Sequence, residues 1–193
     1  MKTRILLAAA LLAITASAFA LSAEYNEFAQ GPAQFLMTKE EVAQWKAIKT
    51  DDEAKAFVAL FWARRDPTPG TAANENQMKF EALVAFADKN LGNGNKRVSG
   101  SMTDRGKTMI LYGQPKKIER LSGPGADDAA PDTGSMATDN SQSVQWIYEG
   151  DSAKEMFNVN RAVVRFIDPN GRNEFVYDRG GIDLKAAQQR AIA

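Results

Sequence analysis

The chain has 193 residues, of which 24 are Lys or Arg and 24 are Asp or Glu, so its formal net charge is zero. A balanced charge provides no strong field to gather nucleic acid, and we expect no nucleic-acid partner. Cys and His are both absent, which excludes Cys nucleophiles, Ser-His-Asp triads, haem, iron–sulfur clusters and the usual zinc sites. We therefore expect no cofactor and no metal site. The length allows one domain with a substantial core.

The first 20 residues have the pattern of a secretory signal peptide. Two basic residues precede an apolar run over 5–13, and small residues favour cleavage after Ala20, with Ala23 as a second cleavage site. The run is short for a membrane-spanning helix, so cleavage is favoured over an uncleaved anchor. We expect a periplasmic or secreted protein with no stable membrane anchor after cleavage, in which residues 21–35 form an N-terminal extension.

Residues 36–92 have helical periodicity. Thr38 is followed by Glu41, and Thr50 by Glu53, which is the spacing of a capping box, where the hydroxyl and the carboxylate each bond the other residue's amide. A helix is predicted after each cap. The second helix carries a broad apolar stripe, formed by Phe57, Val58, Phe61 and Trp62.

A rigid corner is predicted where the second helix ends, at Asp66-Pro67-Thr68-Pro69-Gly70-Thr71. Its two prolines fix φ and remove two amide donors. Thr71 or Asn74 is expected to cap a third helix that ends near Gly92. The apolar residues of this helix predict a wide buried face, which comprises Met78, Phe80, Ala82, Leu83, Val84, Ala85, Phe86, Ala87 and Leu91.

A glycine-bracketed stretch, Gly-Ser-Met-Thr-Asp-Arg-Gly over 100–106, precedes an apolar run over 107–112 that Gly113-Gln114-Pro115 closes. Polar turn residues before an apolar, partly β-branched run that ends at Gly and Pro predict a turn, a strand and a second turn. We expect residues 107–112 to form the first strand and residues 116–121 to pair back onto it.

The last third of the chain predicts further strands. Residues 122–142 are rich in Gly, Pro, Ala, Asp, Ser and Thr without periodicity, which predicts a long mobile loop. Residues 143–149 alternate as a half-buried strand does. Strands are also predicted over 162–168 and 173–177, where Asp168-Pro169-Asn170-Gly171 between them is strong hairpin chemistry.

These elements predict an α+β fold, in which three N-terminal helices pack on one face of a small antiparallel β-sheet of about four or five strands. The domain is expected to span residues 36–180, with a helical part over 36–92 and a sheet part over 100–180 that contains the mobile loop. A C-terminal helix is predicted over 181–193.

Two segments carry a resemblance to a known family. One contains the corner after the second helix, and the other contains the start of the apolar run. The matching residues are Phe61 to Thr71 with Asn74-Glu75, Thr103-Asp104-Arg105-Gly106 with Ile110, Tyr112, Gly113 and Pro115, then Trp146-Ile147-Tyr148 and Phe166-Ile167-Asp168. Over about residues 36–170 the chain resembles the GWxTD domain family of exported bacterial proteins. The family's Gly-Trp pair is Gly100-Ser101 here. The resemblance implies a fold and a compartment, and no reaction, because the family has no established biochemical activity.

The candidate site consists of two charged corners that we expect to hold each other. Asp104 is expected to accept from Arg65 or Arg64, and Asp66 from Arg105, because such Arg–carboxylate pairs fix two elements in one orientation. A structural role is favoured over a ligand site, since charge clusters occur in both. The cluster comprises Arg64, Arg65, Asp66, Thr103, Asp104 and Arg105.

The function that this sequence favours is an exported, non-catalytic binding or structural module of the cell envelope with a protein partner there. The alternative is an accessory factor in outer-membrane protein assembly that engages its partner by strand addition. A third hypothesis is a hydrolase that uses Asp66 and Asp104 as paired carboxylates. Three nearby guanidinium groups argue against it, because they would depress both carboxyl pKa values.

Overall fold

A computed structural model of the chain describes residues 21–93, 98–122, 142–179, 182, 184, 187 and 188. The predicted signal peptide at 1–20 lies outside these residues, and so does the loop predicted over 122–142 except for its two ends. Of the C-terminal helix predicted over 181–193, residues 184, 187 and 188 are described as helical.

The N-terminal part is helical, as predicted, and it begins earlier than the sequence indicated. Its helices are α1 (Ala23–Gln30), α2 (Lys39–Ala47), α3 (Asp51–Ala63) and α4 (Glu75–Asn90), with a 3-10 helix at Pro32–Leu36. Both capping boxes are confirmed, because Thr38 and Thr50 each exchange hydrogen bonds with the Glu three residues on. Of the two residues considered as the cap of α4, Asn74 is the N-cap, and its side chain accepts from the Gln77 amide.

The buried face predicted for α4 is only partly correct. Residues Phe80, Leu83, Ala87 and Leu91 pack in the interior, whereas Met78, Ala82, Ala85 and Phe86 are exposed. The neighbouring elements cover only one side of α4. The buried face predicted from the sequence was wider than this covered side. The other side of α4 presents apolar side chains to solvent.

The strand predicted over 107–112 is wrong, because this run lies in helix α5 (Asp104–Tyr112). Thr103 caps the helix by accepting from the Gly106 amide at 3.0 Å, and Gly113 with φ 74° ends it. Five consecutive residues of the run, 108–112, are buried. The predicted hairpin between 107–112 and 116–121 is therefore absent, and the latter segment pairs elsewhere.

In the described part of the chain, the sheet has four antiparallel strands in sequential order: β1 (Lys117–Ser122), β2 (Gln142–Glu149), β3 (Arg161–Asp168) and β4 (Val176–Tyr177). The structure confirms three predicted strands almost to the residue, and the fourth is shorter than the predicted 173–177. β1 pairs with β2, with Lys117 opposite Ile147. Helix α6 (Asp151–Phe157), which the sequence did not predict, connects β2 to β3.

Among the described residues, the buried apolar side chains pack into two groups, which we call the sheet core and the helix core. The sheet core joins the inner faces of β2 and β3 to α5, α6 and the end of α4, and it includes Met109, Tyr148, Phe157, Val164 and Phe166. The helix core lies among α1, α2, α3 and α4, around Met37, Phe61 and Trp62. Leu36 packs against both cores.

The fold is α+β, as predicted. The helices that lie on the sheet are chiefly α5 and α6, whereas α2 and α3 supply the helix core. Within the described ranges, none of the helices has both the length and the apolar content that a membrane span requires.

Candidate functional site

The first charged corner is organised by the carboxylate of Glu41, a residue predicted only as part of a helix cap. Arg65 donates from Nη1 to Glu41 Oε1 at 2.9 Å and from Nη2 to Glu41 Oε2 at 2.7 Å. The same guanidinium donates to the carbonyls of Leu36 and Phe61 and lies 3.8 Å from the centre of the Phe61 ring. Arg65 therefore ties α3 to the start of α2.

Glu41 is almost fully buried, since its side chain is 6% exposed. Burial on its own raises the pKa of the Glu41 carboxyl, but the bonds from Arg65 and from the Thr38 amide outweigh that effect, and Arg64 adds to them at 3.7 Å. The pKa of Glu41 therefore lies below its ordinary value. A buried carboxylate that is held by two arginines and an amide is a structural anchor, because all its charge is compensated within the chain.

Asp66 and the prolines after it form a compact turn of their own. Asp66 Oδ1 accepts from the Thr68 amide at 3.0 Å, and the Thr68 hydroxyl donates to Glu75 Oε2 at 2.6 Å. The Thr68 bond is the main reason that the pKa of the Glu75 carboxyl lies below its ordinary value. Asn76 donates to the Arg65 carbonyl at 2.8 Å. These bonds set the angle between α3 and α4.

The second corner is the start of α5, and it is fitted tightly against α4. A Cβ on Gly100 would lie 2.0 Å from the Ala87 carbonyl oxygen, and a Cβ on Gly106 would lie 2.0 Å from the Gly100 carbonyl oxygen. Thr103 is buried and donates to the Leu91 or the Gly100 carbonyl. The glycine-bracketed stretch is thus a junction between α4 and α5. The turn predicted over this stretch and the strand predicted after it are both wrong.

Ser101 stands where the family that the sequence resembles has Trp, and it is 1% exposed. Its amide donates to Asp88 Oδ1 on α4 at 2.8 Å, and its hydroxyl lies 3.2 Å from the Ser99 hydroxyl. This position therefore packs inside the junction with a small polar side chain.

Asp104 and Arg105 attach the junction to the sheet. Asp104 Oδ2 accepts from the Tyr177 amide of β4 at 2.7 Å. Arg105 lies over the Phe175 ring, 4.3 Å from its centre, and its Nη2 is 3.4 Å from the Gly92 carbonyl. Burial and then the charge of Arg120 lower the pKa of Arg105, while Asp168 acts in the opposite direction.

The predicted pairing between the two corners is wrong. Among the described residues, the carboxylate that receives Arg64 and Arg65 is Glu41, and both Asp66 and Asp104 accept from backbone amides instead. The six residues form two separate structural clusters. Glu41 and Asp88 were missed as partners, because nothing in a sequence pattern links positions that are 24 or 13 residues apart.

A cleft of about 210 Å³ lies beside the second corner, between α5 and the C-terminal segment. Asp104 and Lys107 stand on its wall, and its other lining residues are Thr108, Leu111, Tyr112, Tyr177, Leu184 and Gln188. Asp66 is not among them, so the cleft does not bring the two candidate carboxylates together. In the described ranges no group of three or more acidic residues is placed to hold a metal ion.

Comparisons of the chain with protein-family models, with curated proteins and with solved structures found no match. The fold and the two clusters define an α+β domain whose charged motif residues bind mainly to the chain itself.

Proposed function

We propose that this protein is an exported, non-catalytic binding module of the cell envelope, and that it binds its protein partner through the exposed apolar side of α4. The observation that supports this proposal is the row of side chains Met78, Ala82, Ala85 and Phe86. Met78 is 60% exposed and Phe86 is 38% exposed, and both alanines are exposed as well.

The spacing of these residues makes the row continuous. Positions three and four residues apart fall on one side of a helix. Ala82 is four residues from both Met78 and Phe86 and three from Ala85, so the two alanines lie between the larger side chains, which are about two turns apart. Single exposed apolar residues are ordinary, but a continuous exposed apolar patch is typical of a surface that binds another protein. Met adds adaptability to such a surface, because its side chain is flexible and polarizable.

The motif residues support the same proposal by what they already contact. Arg65, Glu41, Thr103 and Asp104 all bond within the chain, so they have a structural role and leave the surface of α4 for the partner. The envelope compartment comes from the sequence features of residues 1–20 and from the resemblance to an exported family.

The test is partner capture from an envelope extract of the source organism with the mature protein, residues 21–193. A Met78→Asp, Phe86→Asp variant should lose the partner, because two carboxylates in the patch cannot be desolvated without a large cost. The control is a Lys46→Gln, Lys55→Gln variant, which makes the same change in net charge at exposed positions on α2 and α3. Equal capture by both variants would contradict the proposal, provided that both melt as the wild type does.

The alternative, an accessory factor in outer-membrane protein assembly, is favoured by a different surface. β1 is at the edge of the sheet, and Ile118 near its start is 51% exposed. An exposed edge is the feature that strand addition requires. A photo-crosslinker at position 118 would join an outer-membrane protein if this alternative holds, and the α4 variant would not affect that product. The hydrolase hypothesis would need Asp66 and Asp104 in one cleft, and only Asp104 lines the described one.

A further inference from the structure

The edge of β1 has a charge pattern that fits a second copy of itself. β1 has β2 on one side, and no other described strand lies along its outer side. Lys117 and Glu119 lie two residues apart on this strand, with the Lys117 Nζ 2.6 Å from Glu119 Oε1 and side chains that are 66% and 35% exposed. Ile118 stands between them.

The sheet register fixes the face on which each of these side chains lies. Directly opposite residues of an antiparallel pair share a face. Ile118 is opposite Trp146, which is in the sheet core, so Ile118 is on the helix side of the sheet. Lys117 is opposite Ile147 and Glu119 is opposite Gln145, so both are on the other side.

When two copies of one strand pair antiparallel in a continuous sheet, the two-fold axis that relates them is perpendicular to the sheet. A rotation about this axis leaves every side chain on the same face of the sheet as before. One residue of β1 must then lie opposite its own copy. With Glu119, Arg120 or Lys117 on the axis, two like charges would face each other, which destabilises a strand pair. With Leu121 or Ser122 on the axis, no two opposite charges face each other across it. With Ile118 on the axis, two apolar side chains meet, and Lys117 lies opposite the partner's Glu119 on both sides of the axis.

One kind of like-charge pair remains in this register, since Lys116 would lie opposite the partner's Arg120. The Glu149 carboxylate weakens this repulsion, because its Oε2 lies 3.5 Å from the Lys116 Nζ. The Ile118-centred register therefore combines one apolar contact with two opposite-charge pairs and two weakened like-charge pairs. It is the register of β1 that places opposite charges across the axis.

We propose that two copies of this chain associate in solution through antiparallel pairing of their β1 strands, centred on Ile118. This goes beyond the proposed function, since it needs no envelope partner and uses a surface other than α4. Charged residues usually protect an edge from pairing, but here the charges alternate in sign so that they attract in the self-paired register.

The test uses charge reversal and sedimentation velocity of the mature protein over a range of concentrations. Lys117→Glu and Glu119→Lys should each weaken the dimer by about tenfold or more, because each places like charges opposite each other twice. A mixture of the two variants should form dimers again. The Lys117→Glu strand has two acidic side chains and the Glu119→Lys strand has two basic ones, so opposite charges face each other in the mixed dimer. The double variant Lys117→Glu, Glu119→Lys should dimerise alone.

Rescue by mixing is the result that general unfolding or loss of a surface charge cannot produce. A wild-type protein that stays monomeric at all concentrations would overturn the proposal. So would a dimer that neither single variant weakens, or a mixture that remains monomeric. The two proposals can be told apart with the α4 variant. If it fails to capture a partner but still dimerises, then partner binding and dimerisation use different surfaces.

Discussion

At the scale of single residues, the junction between α4 and α5 depends on two glycines that have no room for a side chain. Gly106 follows the Thr103 cap, and its Cα faces the backbone of Gly100 and Ser101. Atoms of a backbone cannot move aside as the end of a flexible side chain can. The glycines of this stretch are therefore required by close approach of two main chains, and not by a turn.

Gly106→Ala should destabilise the fold by about 3 kcal/mol or more, because the new Cβ would lie 2.0 Å from the Gly100 oxygen and 2.7 Å from the Ser101 Cα. Urea unfolding followed by circular dichroism measures the loss. Gly70→Ala is the matched control, since nothing lies within 4 Å of its Cβ position and Ala restricts the unfolded chain more than Gly does. A loss at Gly106 no larger than at Gly70 would show that the junction is looser than described.

At the scale of single residues, the sequence predicted contacts between neighbouring residues correctly, but it did not predict which distant residues pair with each other. The caps at Thr38 and Thr50 were predicted because both members of each box lie within one turn. The partner of Arg65 was predicted incorrectly, as Asp104, because the choice among the acidic residues depends on how helices pack. Glu41 itself was read only as the N3 residue of a capping box, a pattern that says nothing of a partner 24 residues away.

At the scale of elements, the largest error was the strand predicted over 107–112. An apolar run that is buried on all sides has neither helical nor strand periodicity, so it fits both structures. The signals that favoured a helix were the Thr103 cap, the acidic residue after it and Gly113 at the end. In contrast, the strands over 142–149 and 161–168 were predictable, because each buries one face and alternates accordingly.

The link between α2 and α3 should make the stability depend on pH. The folded pKa of Glu41 lies below 4.5, so its stabilising effect is complete above that value and is lost as the pH falls through the folded pKa. Glu41→Gln should therefore lower the free energy of unfolding by about 2 kcal/mol at pH 7. The difference from wild type should shrink steadily as the pH falls below the ordinary carboxyl value.

Urea unfolding at several pH values between about 7 and about 3, a range that spans the ordinary carboxyl pKa, measures this dependence. Glu27→Gln is the control, because Glu27 is exposed and lies on α1, outside the Arg65 cluster. It should leave both the stability and its pH dependence nearly unchanged. A Glu41→Gln effect that stays constant to the acid end of the range would mean that the charge of Glu41 does not contribute, and that only its shape does.

At the scale of the whole molecule, the two cores are joined by shared side chains and not by the predicted contact between charged corners. α4 contributes Phe80 to the helix core and Ala87 to the sheet core. Leu36 packs against both cores, and its carbonyl accepts from Arg65 at 2.7 Å. Apolar contacts that run continuously from one core to the other should make the two parts unfold together.

This coupling can be tested with the three tryptophans. Trp146 reports the sheet core, and Trp62 the helix core. A variant that keeps only Trp146 and a variant that keeps only Trp62, with Phe at the other two positions, should each give the same urea midpoint by fluorescence as by far-UV circular dichroism. A fluorescence midpoint that differs from the circular dichroism midpoint in either variant would show that the cores unfold separately. Leu36→Ala, which removes the shared side chain, is then the change expected to move the two midpoints apart.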